Sequence, residues 1–261
     1  MTNTREINEN LIKKVPKIFL SLFGYKIVKI NNFNDRYADL ISEANEEETK
    51  DINLAIKLAL CSRASLWSMI QSLKYLSNNS IEGDVVECGV FNGGSLGLIS
   101  KYLKKLSLAS NIIGFDTFET GFSNSILTDK DITIKGEKLH LSANTKKNFY
   151  PTLEKVKKNI EKFSENSNTK IILVKGDILE TLKEKSNVPE KISFLRLDTD
   201  LYATTKFQLE ILFPKLVKGG ILHIDDYGFF PGVQKAVDEY FKDKKIWLHR
   251  VDFTCRLLVK S

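Results

Sequence analysis

The sequence has little of several residue types that would place it in a functional class at once. It holds only three cysteines and three histidines in 261 residues. Cys61, Cys88 and Cys255 are widely spaced, with no C-x-x-C, which excludes the usual zinc patterns and argues against a disulfide framework. A reduced, cytoplasmic protein is the expectation. No stretch approaches the roughly 20 apolar residues that cross a bilayer. The run "IFLSLF" (18–23) is too short for a secretory core, and no small-residue cleavage site follows it. Internal repeats and low-complexity segments are also missing. Neither G-x-G-x-x-G nor G-x-x-x-x-G-K-S/T occurs, so dinucleotide and triphosphate readings lose ground.

What is present is an apolar share of 42%, enough for one substantial α/β core. The net charge of +6 comes mainly from lysines spread along the chain. They form no basic stripe with interleaved aromatics, so a nucleic-acid partner is not expected. Residues 1–35 stand apart: "LIKKVPKIFLSLFGYKIVKI" (11–30) alternates apolar residues with lysines and is broken at Pro16 and Gly24. Docking on the protein's own core is one reading; peripheral contact with a membrane surface or a partner through 11–30 is the other. Residues 49–78 read as one long helix. Residues 1–80 are thus expected to form a helical extension, and 81–261 the main domain.

From residue 84 short apolar runs alternate with helical patterns. The strands expected are "DVVEC" (84–88), "IIGFD" (112–116), "KIILVKG" (170–176), "ISFLRLD" (192–198) and "GGILHIDD" (219–226). Helices are expected over 93–106, 150–163, 178–185, 202–213 and 231–242, and "KIWLHR" (245–250) with "CRLLVK" (255–260) as a closing hairpin. Such alternation predicts a largely parallel sheet covered on both faces, whose ligands bind beyond the carboxyl ends of the strands. Residues 117–149 carry no strong period, and the stretch 120–149 is a candidate lid or acceptor loop.

The strand ends carry acids. Glu87 closes the first strand, Asp116 the second, Asp177 follows the third, Asp198 closes the fourth, and Asp225 and Asp226 close the fifth. After the first strand, "ECGVFNGGSLG" offers Gly89 for a tight turn and Gly93 and Gly94 for close approach of a ligand to backbone. Asp116, at the end of the next strand, is where an acid meets the ribose hydroxyls of a nucleoside-containing cofactor. If the fourth and fifth strands are neighbours, their ends lie about 5 Å apart. Asp198, Asp225 and Asp226 would then repel one another unless protonated or joined by a cation, and hard oxygen ligands favour Mg²⁺, with Mn²⁺ or Ca²⁺ as alternatives. Asp200 reads instead as the N-cap of the following helix.

Six segments in order, "GDVVECGVFNGGS" (83–95), "IIGFDTFE" (112–119), "VKGD" (174–177), "FLRLDTDLYATT" (194–205), "LVKGGILHIDDYG" (216–228) and "GVQKAVDEYF" (232–241), resemble the macrocin O-methyltransferase family, the TylF/MycF-like enzymes. The resemblance covers about residues 50 to 250. It implies the Rossmann-like α/β fold of class I S-adenosylmethionine-dependent methyltransferases, a seven-stranded, mostly parallel sheet whose last strand is antiparallel. It implies Mg²⁺-dependent methylation of a hydroxyl on a sugar or glycosylated metabolite, and carries over a set of residue roles. Asp198, Asp225 and Asp226 would ligate the metal, with Asp198 also the general base. Glu87, Gly89, Gly93 and Ser95 would line the methionine part of the cofactor, Asp116 would take the ribose and Asp177 would approach the adenine.

Two stretches depart from the family. The second strand continues as "FETGF" where relatives have "FEGLP", and 120–149 does not resemble them closely. The basic N-terminus looks more like that of bacterial surface-polysaccharide enzymes than of antibiotic-tailoring ones. His223 is a rival base, but its place inside an apolar run favours a core or supporting histidine. The main alternative from another class is a Mn²⁺-dependent glycosyltransferase using Asp198 and Asp200 as D-x-D; a non-catalytic, cofactor-binding relative is a third. A homo-oligomer built through the N-terminal helices is also expected.

Overall fold

A computed structural model describes residues 41–121, 124–139, 150–163 and 169–261. The basic segment 11–30 and residues 140–149 of the expected lid lie outside the described residues. Seven strands form one sheet: β1 (Asp84–Cys88), β2 (Ile112–Asp116), β3 (Ile171–Lys175), β4 (Ile192–Leu197), β5 (Leu216–Ile224), β6 (His249–Arg250) and β7 (Arg256–Val259). Their order is β3-β2-β1-β4-β5-β7-β6. The pairs among β1 to β5 are parallel, while β7 runs antiparallel to both β5 and β6. The chain therefore has the Rossmann-like class I methyltransferase topology expected from the sequence.

The helices are α1 (Glu46–Ala55), α2 (Arg63–Asn78), α3 (Gly94–Lys105), α4 (Leu153–Glu161), α5 (Ile178–Thr181), α6 (Tyr202–Leu212) and α7 (Pro231–Phe241). Alternation along the strands divides the core into two layers. Val85, Phe194 and Ile221 face Leu66, Met69, Ile70 and Leu73 of α2 and Leu96 and Ile99 of α3. Val86, Leu195 and Leu222 face Leu209 and Leu212 of α6 and Val233 and Val237 of α7. Among the described residues, no helix is long and apolar enough to cross a membrane.

The single long helix expected over 49–78 is instead two, interrupted at 56–62. Tertiary contact overrides helical propensity there. The carbonyl of Leu58 accepts the N–H of Gly94, and a Cβ on Gly94 would come within 2.5 Å of the Ala55 carbonyl. The chain leaves its helix to lie against the glycine turn. Ser62 then restarts it, its hydroxyl accepting the Ser65 N–H at 3.0 Å.

Candidate active site at the carboxyl edge of the sheet

The turn after β1 is made of backbone. Gly89 has φ 91°, and a Cβ there would lie 1.8 Å from the carbonyl oxygen of Asp198, so only glycine lets the ends of β1 and β4 pass this closely. The same crossing is fixed by the Asp198 N–H, which donates to the Cys88 carbonyl at 2.9 Å. Asp116 anchors the turn from the side. Its Oδ2 accepts the N–H groups of Val90 and Phe91 at 2.8 and 2.9 Å, and its Oδ1 accepts that of Phe118 at 2.7 Å. A carboxylate has about four acceptor positions, so Asp116 retains capacity for a ligand hydroxyl.

The registers place Glu87 of β1, Arg196 of β4 and His223 of β5 side by side on one face of the sheet. Arg196 is 2% exposed and meets three carboxylates. Its Nη1 lies 2.9 Å from Glu87 Oε1 and 2.6 Å from Asp198 Oδ2, and its Nη2 lies 2.8 Å from Asp225 Oδ2. Glu87 also accepts the Ser95 hydroxyl at 2.5 Å. Burial pushes the Glu87 carboxyl above its usual range, against the pull of Arg196. His223 is fully buried, with Ser68 Oγ 3.1 Å from Nε2 and the Phe194 ring beside it. Burial, then the nearby Arg196 charge, lower its pKa to about 4. It is a neutral core histidine.

Beyond Arg196 the acids gather. Carboxylate oxygens of Asp198, Asp200 and Asp226 all lie within 4.8 Å of one another. Burial, with the neighbouring Asp225 and Asp200 charges, raises Asp198 to about 7 in spite of Arg196. Burial and the charges of Asp200, Asp198 and Asp225 raise Asp226 well above the carboxylate range. Its Oδ2 is buried with no donor reaching it. Three clustered carboxylates, one of them carrying an orphaned acceptor, fit a hard divalent cation. Asp200 and Asp226 both adopt left-handed backbone, φ 62° and 65°, a conformation aspartate tolerates better than most residues.

The role expected for Asp200 needs correction. The N-cap of α6 is Leu201, without a side-chain cap, and the Tyr202 N–H is accepted at 2.7 Å by Asp131 from the 124–139 loop. With a distant carboxylate capping the helix, Asp200 is free to face the cluster. Asp225 is drawn the other way. Its Oδ2 is held by Arg196, and its Oδ1 accepts from the Thr254 hydroxyl at 2.9 Å and the Asp226 N–H at 3.0 Å.

A cavity of about 230 Å³ joins these parts. Its wall includes Gly89, Asp116, Asp198, Asp200 and Asp226. The sequence matches the family described as Macrocin-O-methyltransferase (TylF) over residues 2–260. The chain belongs to the macrocin O-methyltransferase family. Among curated proteins it is 26% identical over 178 residues to demethyldecarbamoylnovobiocin O-methyltransferase of Streptomyces niveus, covering 65% of this chain and 62% of that one. It is 28% identical over 163 residues to mycinamicin III 3''-O-methyltransferase of Micromonospora griseorubida, covering 62% and 61%. The matched region thus spans somewhat under two thirds of these relatives. Among solved structures, the O-methyltransferase NovP superposes with a TM-score of 0.63 at 22% identity, covering 78% of this chain and 82% of that one. The calicheamicin methyltransferase CalS11 gives 0.60 at 22% identity, covering 83% and 93%. These two likenesses establish the fold.

In this member of the macrocin O-methyltransferase family, the residues singled out in the sequence divide between wall and support. Gly89, Ser95, Asp116, Asp198 and Asp226 reach the cavity. Glu87 lies fully buried against Ser95 and Arg196. Gly93, φ 82°, opens α3 against Val156 and Ile160 of α4. Asp177 caps α5 through the Leu179 N–H at 2.9 Å. Sequence reasoning passed over Arg196, Phe91, Thr199, Gly176 and Tyr150, all on the cavity wall. For Arg196 a signal existed, because a cation inside the apolar run "FLRL" has to be buried against anions.

Proposed function

We propose that the protein is a Mg²⁺-dependent O-methyltransferase that moves a methyl group from S-adenosylmethionine to a hydroxyl of a sugar or a glycosylated metabolite. The observation that carries this reading is one cavity lined both by the glycine turn with Asp116 and by the acid cluster. Family membership supports it, as do the relatives, among them O-methyltransferases of mycinamicin III and of a rhamnosyl-bearing tetracenomycin. Asp116 would accept the ribose hydroxyls, and the backbone around Gly89 with Ser95 would hold the amino-acid end. Asp177 would approach the adenine from the α5 cap.

Asp198 and Asp226 would hold the metal, together with Asp225 as the family resemblance implies or Asp200 as the ligand-free arrangement suggests. When bound, the ion lowers the pKa of a hydroxyl beside it and fixes the acceptor's orientation. With S-adenosylmethionine bound, its sulfonium would supply the methyl group to the acceptor oxygen and leave as the neutral thioether, and Asp198 would take the hydroxyl proton.

One observation favours the rival D-x-D glycosyltransferase: Asp198 and Asp200 face the same cluster. Calorimetry separates the two. The methyltransferase reading expects S-adenosylhomocysteine to bind and UDP- or GDP-sugars not to; the reverse result would overturn it. A metal-supplemented screen of sugar nucleotides, lipid-linked glycans and glycosylated natural products, read as a gain of one methyl by mass spectrometry, identifies the acceptor. The basic segment 11–30 is proposed as a contact for a membrane surface or a second copy.

A further inference from the structure

We propose that Arg196 is a positioning residue that couples the cofactor half of the cavity to its acid half through a buried relay, Ser95–Glu87–Arg196–Asp198. The inference rests on the proposed metal-dependent methyltransferase reading and goes beyond it. Ser95 and Asp198 both reach the cavity, one beside the glycine turn and the other in the acid cluster. Between them the connection runs below the surface. The Ser95 hydroxyl donates to Glu87 Oε1 at 2.5 Å, and the same oxygen accepts from Arg196 Nη1 at 2.9 Å. Nη1 also lies 2.6 Å from Asp198 Oδ2. One nitrogen with two hydrogens thus serves both ends, so displacement of either carboxylate is felt by the other.

The relay is also not pinned at every atom. Glu87 Oε2 and Arg196 Nε are buried and have no hydrogen-bond partner, so no surplus bonds lock the arrangement. Nη2 is held separately by Asp225, which gives the guanidinium a pivot. A cation arriving at Asp198 competes for its charge and weakens the hold of Asp198 on Nη1. The guanidinium then bonds Glu87 more strongly and fixes in place the one oxygen to which the Ser95 hydroxyl also donates at the cofactor end. Metal and cofactor therefore each tighten the other, by the same factor in both directions. A lysine could not do this, since its single ammonium lacks the second nitrogen by which Asp225 holds the pivot.

The test is calorimetric titration with S-adenosylhomocysteine, with and without saturating Mn²⁺, in the wild type, R196K and Glu87→Gln. In the wild type Mn²⁺ should tighten S-adenosylhomocysteine binding by about fivefold or more, and the reciprocal titration should give the same factor. In both variants the factor should fall toward one while each ligand still binds. A purely structural Arg196 would weaken both ligands and leave the factor unchanged, and that result would overturn the relay. If R196K does not fold, Glu87→Gln decides alone, since it preserves shape and one acceptor while removing the charge. A wild type that binds S-adenosylhomocysteine but no Mn²⁺ would overturn the metal reading and the coupling together. A wild type that binds both with a factor of one overturns only the coupling.

Discussion

The two faces of the sheet are built from the same strands yet carry different tasks. Toward α6 and α7, β1, β4 and β5 present Val86, Leu195 and Leu222, and then Cys88, Leu197 and Ile224, all apolar and all buried. Toward α2 and α3 the same strands present Val85, Phe194 and Ile221, and one step nearer the carboxyl edge Glu87, Arg196 and His223. The first face is a packed layer whose stability comes from apolar burial. The second buries a charged row that water would solvate better, and a buried ion network of this kind seldom stabilises a fold. Its position under the cavity explains its presence, since it orients the acids at the rim. Of the seven described non-glycine residues with positive φ, three, Phe91, Asp200 and Asp226, line the cavity.

The contrast is most sharply tested at the end of the charged row. Replacing Asp198 with Asn removes the proposed base while retaining shape. Methyl transfer to an acceptor found in the screen should fall by about 10²–10⁴-fold, while S-adenosylhomocysteine still binds. Full turnover by this variant would end the proposed mechanism. On the apolar face the pattern should invert. Leu195→Ala should lower stability by about 2–5 kcal/mol in denaturant titrations and leave the kcat of the folded fraction unchanged. A variant that keeps its stability but loses kcat would show that the two faces are not separable in this way.

The third metal ligand is a finer test. Asp200→Asn and Asp225→Asn should differ in Mn²⁺ affinity, and the true ligand should lose at least about tenfold, the lower end of what outer-shell partners cost. Loss at Asp225 means that Asp225 ligates while still held by Arg196. Loss at Asp200 means that the ligand-free cluster is already the metal site. Equal affinities in both variants would remove both from the coordination set.

The sheet was legible because its signals are local and repeated. Apolar runs ending in acids at 84–88, 112–116 and 192–198 can hardly be other than parallel strands. Within the acids, however, sequence spacing could not say which way each carboxylate turns. Asp225 and Asp226 are adjacent, but Arg196 and Thr254 hold the first while the second faces Asp198. Asp200 reads as a helix cap until Asp131 is seen to accept the N–H of Tyr202, 71 residues further along the chain. The break at 56–62 was hidden for the same reason, because the partner that interrupts the helix is the glycine turn. What local pattern determines was readable; what a distant donor or acceptor decides was not.

The smallest expected effect is on stability against pH, and it sets Asp198 against His223 within the charged row. Burial raises the folded pKa of Asp198 from an ordinary 3.8 to about 7, so between these the folded state holds the proton more tightly. Its contribution to stability is greatest at low pH and is lost as pH rises through about 7. His223 works in the opposite sense. Its pKa falls from 6.5 to about 4, so its contribution is present above 6.5 and is lost as pH falls toward 4. Between 4 and 6.5 the two oppose each other, whereas just above 6.5 only the acids remain, with Asp226 raised in the same direction as Asp198. Metal-free protein should therefore lose stability as pH rises through neutrality. Mg²⁺, which favours the ionised carboxylates, should restore it, so the rise in Tm on adding Mg²⁺ should be larger at pH 8 than at pH 6. A Mg²⁺ effect independent of pH would mean that the cluster is already ionised without a cation, and that Arg196 alone compensates the acids around it.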